Sequence, residues 1–177
     1  LIRLLLSQWA RHLGARVIGC VGSEEKAELA RANGCDHTIL YRHEDIPGKV
    51  REFTDGEGVA AAYDSVGKAT FMDSLDSLRP FGVMVSYGNA SGPVDPFSPG
   101  ILAPKGSLYV TRPTLATHIA TRDLLEDGAN RLFAAVTDGK LHIQINQRYP
   151  LSETAQAHRD LEARKTTGST VLIPGAA

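Results

Sequence analysis

Residues 16–41 read RVIGCVGSEEKAELARANGCDHTILY, and this stretch decides the fold. The apolar run at its start predicts a short strand, which ends at the turn Gly22-Ser23. Ser23 can cap a helix over residues 24–32, whose two leading glutamates suit the positive end of the helix dipole. Residues 37–41 predict a second strand. A strand, a helix and a second strand in this order predict a parallel βαβ unit.

The same alternation continues on both sides of this unit. Upstream, apolar residues spaced by four predict a helix over residues 1–13. Downstream, strands are predicted at 59–63, 83–87, 107–111, 143–149 and 170–173, and helices at 44–53, 68–78, 121–138 and 153–164. This order predicts an α/β fold, a doubly wound and mainly parallel Rossmann-like sheet with helices on both faces. Residues 88–106 lack periodicity, and a loop of this length in a compact domain is usually functional.

Composition restricts the class of partner. The chain has 177 residues, with 19 Lys+Arg against 20 Asp+Glu and a net charge of −1. Nucleic-acid binding by bulk electrostatics calls for a basic chain, and a membrane span calls for about 20 consecutive apolar residues, so we expect neither partner. The two cysteines and six histidines are scattered, which predicts no metal site. A reduced, cytoplasmic setting is the expected location.

The usual dinucleotide fingerprint is missing from the sequence. A Gly-rich turn normally joins the first strand of such a sheet to the first helix. Here a helix opens the chain and a strand follows it, as when a chain begins just after that turn. We therefore expect a nucleotide-binding domain over residues 1–177 that is truncated at its N-terminus and lacks the first strand and the Gly-rich turn. The sheet should then show a gap.

The end of the first predicted strand suggests the type of cofactor. Proteins that bind NAD carry an acidic residue at this place, which bonds the ribose 2′-OH. Here Gly22-Ser23 follows the strand and Lys26 lies one turn on, which favours a 2′-phosphate and hence NADP(H). In the alternative, Ser23 only caps the helix and Lys26 only faces water. No nucleophile elbow, P-loop or Tyr/Lys pair occurs, so no catalytic residue is assigned. Asp64, at a strand end, is expected to bond backbone amides.

Three longer motifs point to a family. They are YDSVG at 63–67, VSYGNASG at 85–92 and KGSLYVTRP at 105–113. With them the chain resembles the NADPH:quinone oxidoreductases, the zinc-free, zeta-crystallin-like branch of the medium-chain dehydrogenase/reductase superfamily, and the resemblance covers essentially the whole chain. It implies an N-terminal substrate domain and a C-terminal Rossmann domain. This chain matches the second domain, including a final strand-helix-strand that in the family returns toward the catalytic domain.

The resemblance also implies which residues contact the cofactor, NADP(H). Those on the side of the adenosine 2′-phosphate are Gly22, Ser23, Lys26 and Tyr41. Those near the adenine ribose are Ser65 and Gly67. Those near the nicotinamide half are Tyr87, Gly88, Asn89, Tyr109, Val110 and Thr111. Arg164 resembles a further cofactor contact, with Lys165 as the alternative.

The implied activity is transfer of a hydride from nicotinamide to a quinone or an enone, by positioning of donor and acceptor. The implied assembly is a homodimer formed through the sheet edge near residues 107–111. Because the Gly-rich turn that binds the pyrophosphate of the cofactor is missing, we expect little or no reductase activity from the chain alone. The alternatives are a zinc-containing alcohol dehydrogenase and a non-catalytic NADPH-binding or structural module. A methyltransferase is a weaker one, because it usually carries an acidic residue where Gly22-Ser23 stands.

Overall fold

The computed structural model of the chain describes residues 2–163 and 165–175, and it confirms the alternation of helices and strands. The helices are α1 (Ile2–His12), α2 (Glu24–Ala32), α3 (Ile46–Phe53), α4 (Phe71–Asp76), α5 (Leu115–His118), α6 (Arg122–Thr137) and α7 (Thr154–Glu162). The strands are β1 (Ile18–Val21), β2 (His37–Leu40), β3 (Val59–Asp64), β4 (Leu78–Ser86), β5 (Tyr109–Thr111), β6 (Ile145–Pro150) and β7 (Ser169–Ile173). Short 3₁₀ helices occupy Pro99–Leu102 and Leu151–Glu153. No helix within the described ranges is long and apolar enough to cross a membrane.

The strands pair in three groups, and every pairing is parallel. β1 pairs with β2, β4 lies between β3 and β5, and β6 pairs with β7. In the described part of the chain, β1 has β2 as its only neighbour and β3 has only β4. A gap in the hydrogen bonding therefore separates the first two groups, as the sequence predicted.

Two apolar clusters form the core. The first packs α4 against β4 and the segment before β5, and its buried members are Phe71, Leu75, Leu78, Met84 and Leu108. The second packs β2 against α3, with Ile39, Ile46 and Val50 buried. Val59 of β3 contacts both clusters, so the core continues where the hydrogen bonding of the sheet does not.

Some predicted boundaries are wrong. The helix predicted at 68–78 covers only Phe71–Asp76, because Thr70 has φ −128° and ψ −1°, outside the helical range; the amides of Lys68 and Ala69 donate instead to Gly92 O and Ser91 Oγ of the following loop. Leu78 begins β4 instead of ending the helix, since it pairs with Val59 and is 1% exposed.

The predicted ends of two strands also shift. The strand predicted at 83–87 begins earlier, at Leu78, and bulges where the pairing moves from Val59↔Leu78 to Ala61↔Val83. β5 begins at Tyr109 instead of residue 107, because Ser107 takes a left-handed backbone conformation with φ 55°. A strand needs negative φ angles, so the residue at 107 belongs to the preceding turn.

Candidate functional site

The turns that follow β1 and β2 lie against each other. Val21 pairs with Leu40 at the ends of the two strands, and the Tyr41 amide donates to Val21 O at 3.1 Å. A Cβ added to Gly22 would lie 3.1 Å from the Tyr41 hydroxyl oxygen and 3.3 Å from its ring. The Tyr41 side chain therefore covers the backbone of Gly22, and a larger residue there would require the Tyr41 ring to move by a few tenths of an ångström.

This corner of the molecule carries charges of both signs, because Glu24 and Glu25 lie in the first turn of α2 beside two cations. Ser23 caps α2, its Oγ accepting from the Lys26 amide at 3.4 Å, so the capping role predicted for Ser23 is confirmed. The Lys26 side chain is exposed and forms no ion pair within residues 2–163 and 165–175. The Arg42 guanidinium lies 6.0 Å from the centre of the Tyr41 ring. Two cations and a phenol hydroxyl beside the N-terminus of α2 suit an anion such as a phosphate.

Asp64 organises the turn after β3. Its Oδ1 accepts from the amides of Val66 at 2.6 Å and Gly67 at 3.1 Å, and its Oδ2 accepts from the hydroxyls of Thr70 at 2.8 Å and Ser74 at 3.2 Å. The residue is 5% exposed. The prediction that Asp64 bonds backbone amides is confirmed, and its oxygens are occupied by these donors.

The turns after β3 and β4 interlock through their backbones. A Cβ on Gly88 would collide with the backbone of Ser65, and a Cβ on Gly67 would lie 2.6 Å from Gly92 O and 3.2 Å from the Asn89 Cα. Gly67 also has φ +88°, which strains any other residue. The Tyr87 amide donates to Asp64 O at 2.8 Å. The structure thus brings together the predicted residues Ser65, Gly67, Tyr87, Gly88 and Asn89.

The three predicted residues on β5 are spread along the strand. Tyr109, Val110 and Thr111 pair with Val83, Met84 and Val85. The Val110 side chain packs against the first core cluster, and Tyr109 is 59% exposed. Thr111 ends the strand and lies nearest to the turn after β4.

Sequence reasoning considered Arg112 at this strand end but assigned it no role. Its Nη1 donates to Ser86 Oγ at 3.2 Å and to Gly88 O at 3.1 Å. The available signal was an arginine placed directly after a strand end. The predicted contact Arg164 lies outside the described residues. The alternative, Lys165, forms an ion pair with Asp160 at 3.7 Å.

The chemistry of the neighbouring groups is limited. Cys35 is 6% exposed and lies behind β1, and burial raises the pKa of its thiol, which disfavours the nucleophilic thiolate. Across residues 2–163 and 165–175, no group of three or more His, Cys, Asp or Glu side chains could hold a metal ion. The described turns can bind and orient a ligand by backbone groups, hydroxyls and cations.

Parallel strands followed by close-packed glycine turns are typical of the Rossmann-like fold. A family model described as zinc-binding dehydrogenase matches residues 2–127, and the chain belongs to this family.

Within this family, the chain is most informatively compared with individual relatives. The chain is 51% identical to a quinone oxidoreductase of Pseudomonas aeruginosa, over 98% of this chain and 53% of the relative. It is 48% identical to a 2-haloacrylate reductase of a Burkholderia species, over 97% of this chain and 52% of the relative. The crystal structure of Escherichia coli quinone oxidoreductase complexed with NADPH has 46% identity and a TM-score of 0.87, over 97% of this chain and 53% of that one. The predicted Rossmann-like fold and the resemblance to quinone oxidoreductases are confirmed, and the chain spans about half the length of the curated relatives it matches.

Proposed function

We propose that the chain is the cofactor-binding part of an NADPH-dependent oxidoreductase that reduces a quinone or an enone. The observation that carries the proposal is the corner after β1, where the Tyr41 hydroxyl lies close to Gly22, the exposed Lys26 stands in the first turn of α2, and the Arg42 guanidinium lies 6.0 Å from the Tyr41 ring centre. No carboxylate occupies the turn Gly22-Ser23, so the corner suits a 2′-phosphate better than a 2′-hydroxyl. The NADPH bound to the Escherichia coli relative supports this cofactor.

In this proposal, the residues of the chain bind the cofactor and orient it. When bound, NADPH supplies the hydride, and the acceptor takes that hydride and one proton, leaving NADP⁺ and a reduced product. Lys26, Arg42 and the N-terminus of α2 hold the 2′-phosphate by charge. Gly67 and Gly88 let the backbones of the turns after β3 and β4 pack directly against each other, which fixes the position of both turns. Donor and acceptor react because they are held in place, which is worth several kcal/mol of the barrier.

The relatives suggest the chemical class of the acceptor. One is named a quinone oxidoreductase and another a 2-haloacrylate reductase. Quinones and haloacrylates share a C=C bond conjugated with a carbonyl group, and the carbon at the far end of that system accepts a hydride. We propose an acceptor of this class for the full-length protein.

Substitution of Lys26 tests the cofactor assignment in the full-length protein. Loss of a charge-assisted hydrogen bond costs about 1.5–3 kcal/mol, so Lys26→Ala should weaken NADPH binding about 10- to 150-fold. The affinity for NADH, which lacks the 2′-phosphate, should hardly change. Lys140→Ala, which removes an exposed lysine paired with Asp138, is the matched control. Equal losses for both cofactors, or no loss for NADPH, would contradict the assignment.

We also propose that two copies associate along the outer edge of β5. Within the described residues β5 bonds only to β4, and Tyr109 on this edge strand is 59% exposed. A second β5 could satisfy the open backbone groups of that edge. Tyr109→Asp should then shift the full-length protein from dimer to monomer in sedimentation velocity, because like charges would meet. Leu13→Asp, at a residue 66% exposed on another face, is the control and should leave the dimer intact.

One observation supports the alternative of a zinc-containing alcohol dehydrogenase: the matching family is described as zinc-binding dehydrogenase. A zinc site would need most of its ligands from outside the described residues, since no group of three or more of their His, Cys, Asp or Glu side chains could hold a metal ion. Elemental analysis of the full-length protein, with turnover measured before and after chelation, separates the two readings. Stoichiometric zinc and loss of turnover on chelation would favour the zinc enzyme.

A further inference from the structure

Arg112 links the ends of two neighbouring strands. It follows β5 directly, and its Nη1 donates to Ser86 Oγ at 3.2 Å and to the carbonyl oxygen of Gly88 at 3.1 Å. Ser86 is the last residue of β4 and is 6% exposed, and Gly88 lies in the turn after it. One guanidinium nitrogen therefore holds both the strand end and the turn that leaves it.

The turn after β4 is fixed on its other side by β3 and the turn that follows. The amides of Tyr87 and Ala90 donate to Asp64 O at 2.8 Å and Ser65 O at 3.2 Å. The backbone of Gly88 also packs directly on that of Ser65. On the side of β5, Arg112 is the only side chain in the described ranges that hydrogen-bonds this turn. Without it, the Gly88 carbonyl has no anchor on that side.

We infer that Arg112 is a positioning residue for hydride transfer. By holding the Gly88 carbonyl, it fixes the turn Tyr87-Gly88-Asn89, which the proposed function places against the nicotinamide half of NADPH. The inference rests on that proposed function. Arginine suits the task because its guanidinium stays charged at all ordinary pH values and directs its N–H groups in fixed directions. Loss of this anchor frees the Gly88 peptide to rotate, and a displacement of about 1 Å can cost about 100-fold in rate.

The test uses the full-length protein with Arg112→Ala, Arg112→Lys and the control Arg122→Ala. Arg122 is an exposed arginine at the start of α6 that pairs with Glu126. We expect Arg112→Ala to lower kcat about 10- to 100-fold while the Kd for NADPH, measured by fluorescence, changes less than about threefold. Lysine should restore part of kcat, because a single ammonium can reach one of the two acceptors. The deuterium isotope effect with NADPH labelled at C4 should rise, because hydride transfer becomes the slow step.

Each result bears on a distinct claim. A wild-type kcat in Arg112→Ala overturns the inference and leaves the proposed function standing. If kcat and NADPH affinity fall by the same factor and the melting temperature also falls, the inference is overturned as well, because this result indicates a purely structural role. A wild-type protein without any NADPH-dependent turnover overturns the proposed function and the inference together. If Arg112→Ala does not fold, Arg112→Lys decides alone, with lowered kcat and retained NADPH binding as the supporting result and unchanged kcat as the contrary one.

Discussion

Replacing Asp64 should destabilise the turn after β3 to a degree that depends on which atoms remain. Asp64→Ala removes the acceptor of two backbone amides and two hydroxyls at a position that is 5% exposed. A buried donor left without a partner costs about 1–3 kcal/mol. The hydroxyls of Thr70 and Ser74 can rotate toward other acceptors, whereas the amides of Val66 and Gly67 cannot. The two amides therefore dominate, and we expect a loss of about 2–6 kcal/mol in the free energy of unfolding.

The isosteric change Asp64→Asn separates hydrogen bonding from charge. The side-chain amide oxygen can still accept from Val66 and Gly67, and its NH₂ can donate to hydroxyls that turn to accept. Asp64→Asn removes only the negative charge that strengthens these hydrogen bonds. The free energy of unfolding should therefore fall by about 1–2 kcal/mol. The difference between the two variants measures the contribution of the amides.

The assay is urea unfolding of the protein followed by far-ultraviolet circular dichroism, with midpoint and slope fitted separately. Asp127→Ala, at an exposed position on α6, is the matched control and should stay within about 0.5 kcal/mol of wild type. A loss below about 1 kcal/mol for Asp64→Ala would refute the reasoning. Equal losses for alanine and asparagine would refute it as well, because they would assign the whole effect to charge.

Three further predictions test the packing and electrostatics of the fold. Phe81→Asn should raise the melting temperature, since Phe81 is 70% exposed with φ 62°, a conformation that asparagine adopts at lower cost; a lower value would contradict this. Gly19→Ala should destabilise the protein, because its Cβ would lie 2.8 Å from the Cys35 sulfur. Adding Cys35→Ala should recover part of that loss, and strict additivity would contradict the clash. The bond from the Val17 amide is the main reason why the pKa of Asp36 lies below its usual value, so this carboxylate stabilises the fold above about pH 4 and less as the pH falls through the folded-state pKa. Asp36→Asn should therefore be less stable than wild type at about pH 7 and equal to it in strong acid, and a pH-independent difference would contradict this.

The order of the elements could be predicted from the sequence because helix and strand periods are local properties. The unit from β1 to β2 shows this, since its helix was predicted with the bounds that the structure has. The start of α4 could not be predicted in this way. The amides of Lys68 and Ala69 are bonded by Gly92 and Ser91, more than 20 residues further along, and no local pattern records that contact.

In the candidate site too, some residues could be predicted from local sequence and others could not. The strand-end rule and the family resemblance were enough to place Gly22 and Tyr41, because neighbouring parallel strands bring their following turns together. The reach of Arg112 to Gly88 requires knowing that β4 and β5 are adjacent and in which register, Val85 opposite Thr111. That information lies in the sheet and not in the stretch around Arg112, so the residue was quoted in a motif but given no role.

The site is built largely from positions where a side chain would not fit. A Cβ at Gly22 would press on the Tyr41 ring, and at Gly67 or Gly88 it would meet the backbone of the adjacent turn. Backbones packed this closely cannot shift independently, so the geometry presented to a cofactor depends on the groups that tie the turns together. Those groups are Asp64 beneath the turn after β3 and Arg112 beside the turn after β4. In a reaction driven by positioning, substitutions at these two residues should therefore lower the rate although neither supplies an acid, a base or a nucleophile.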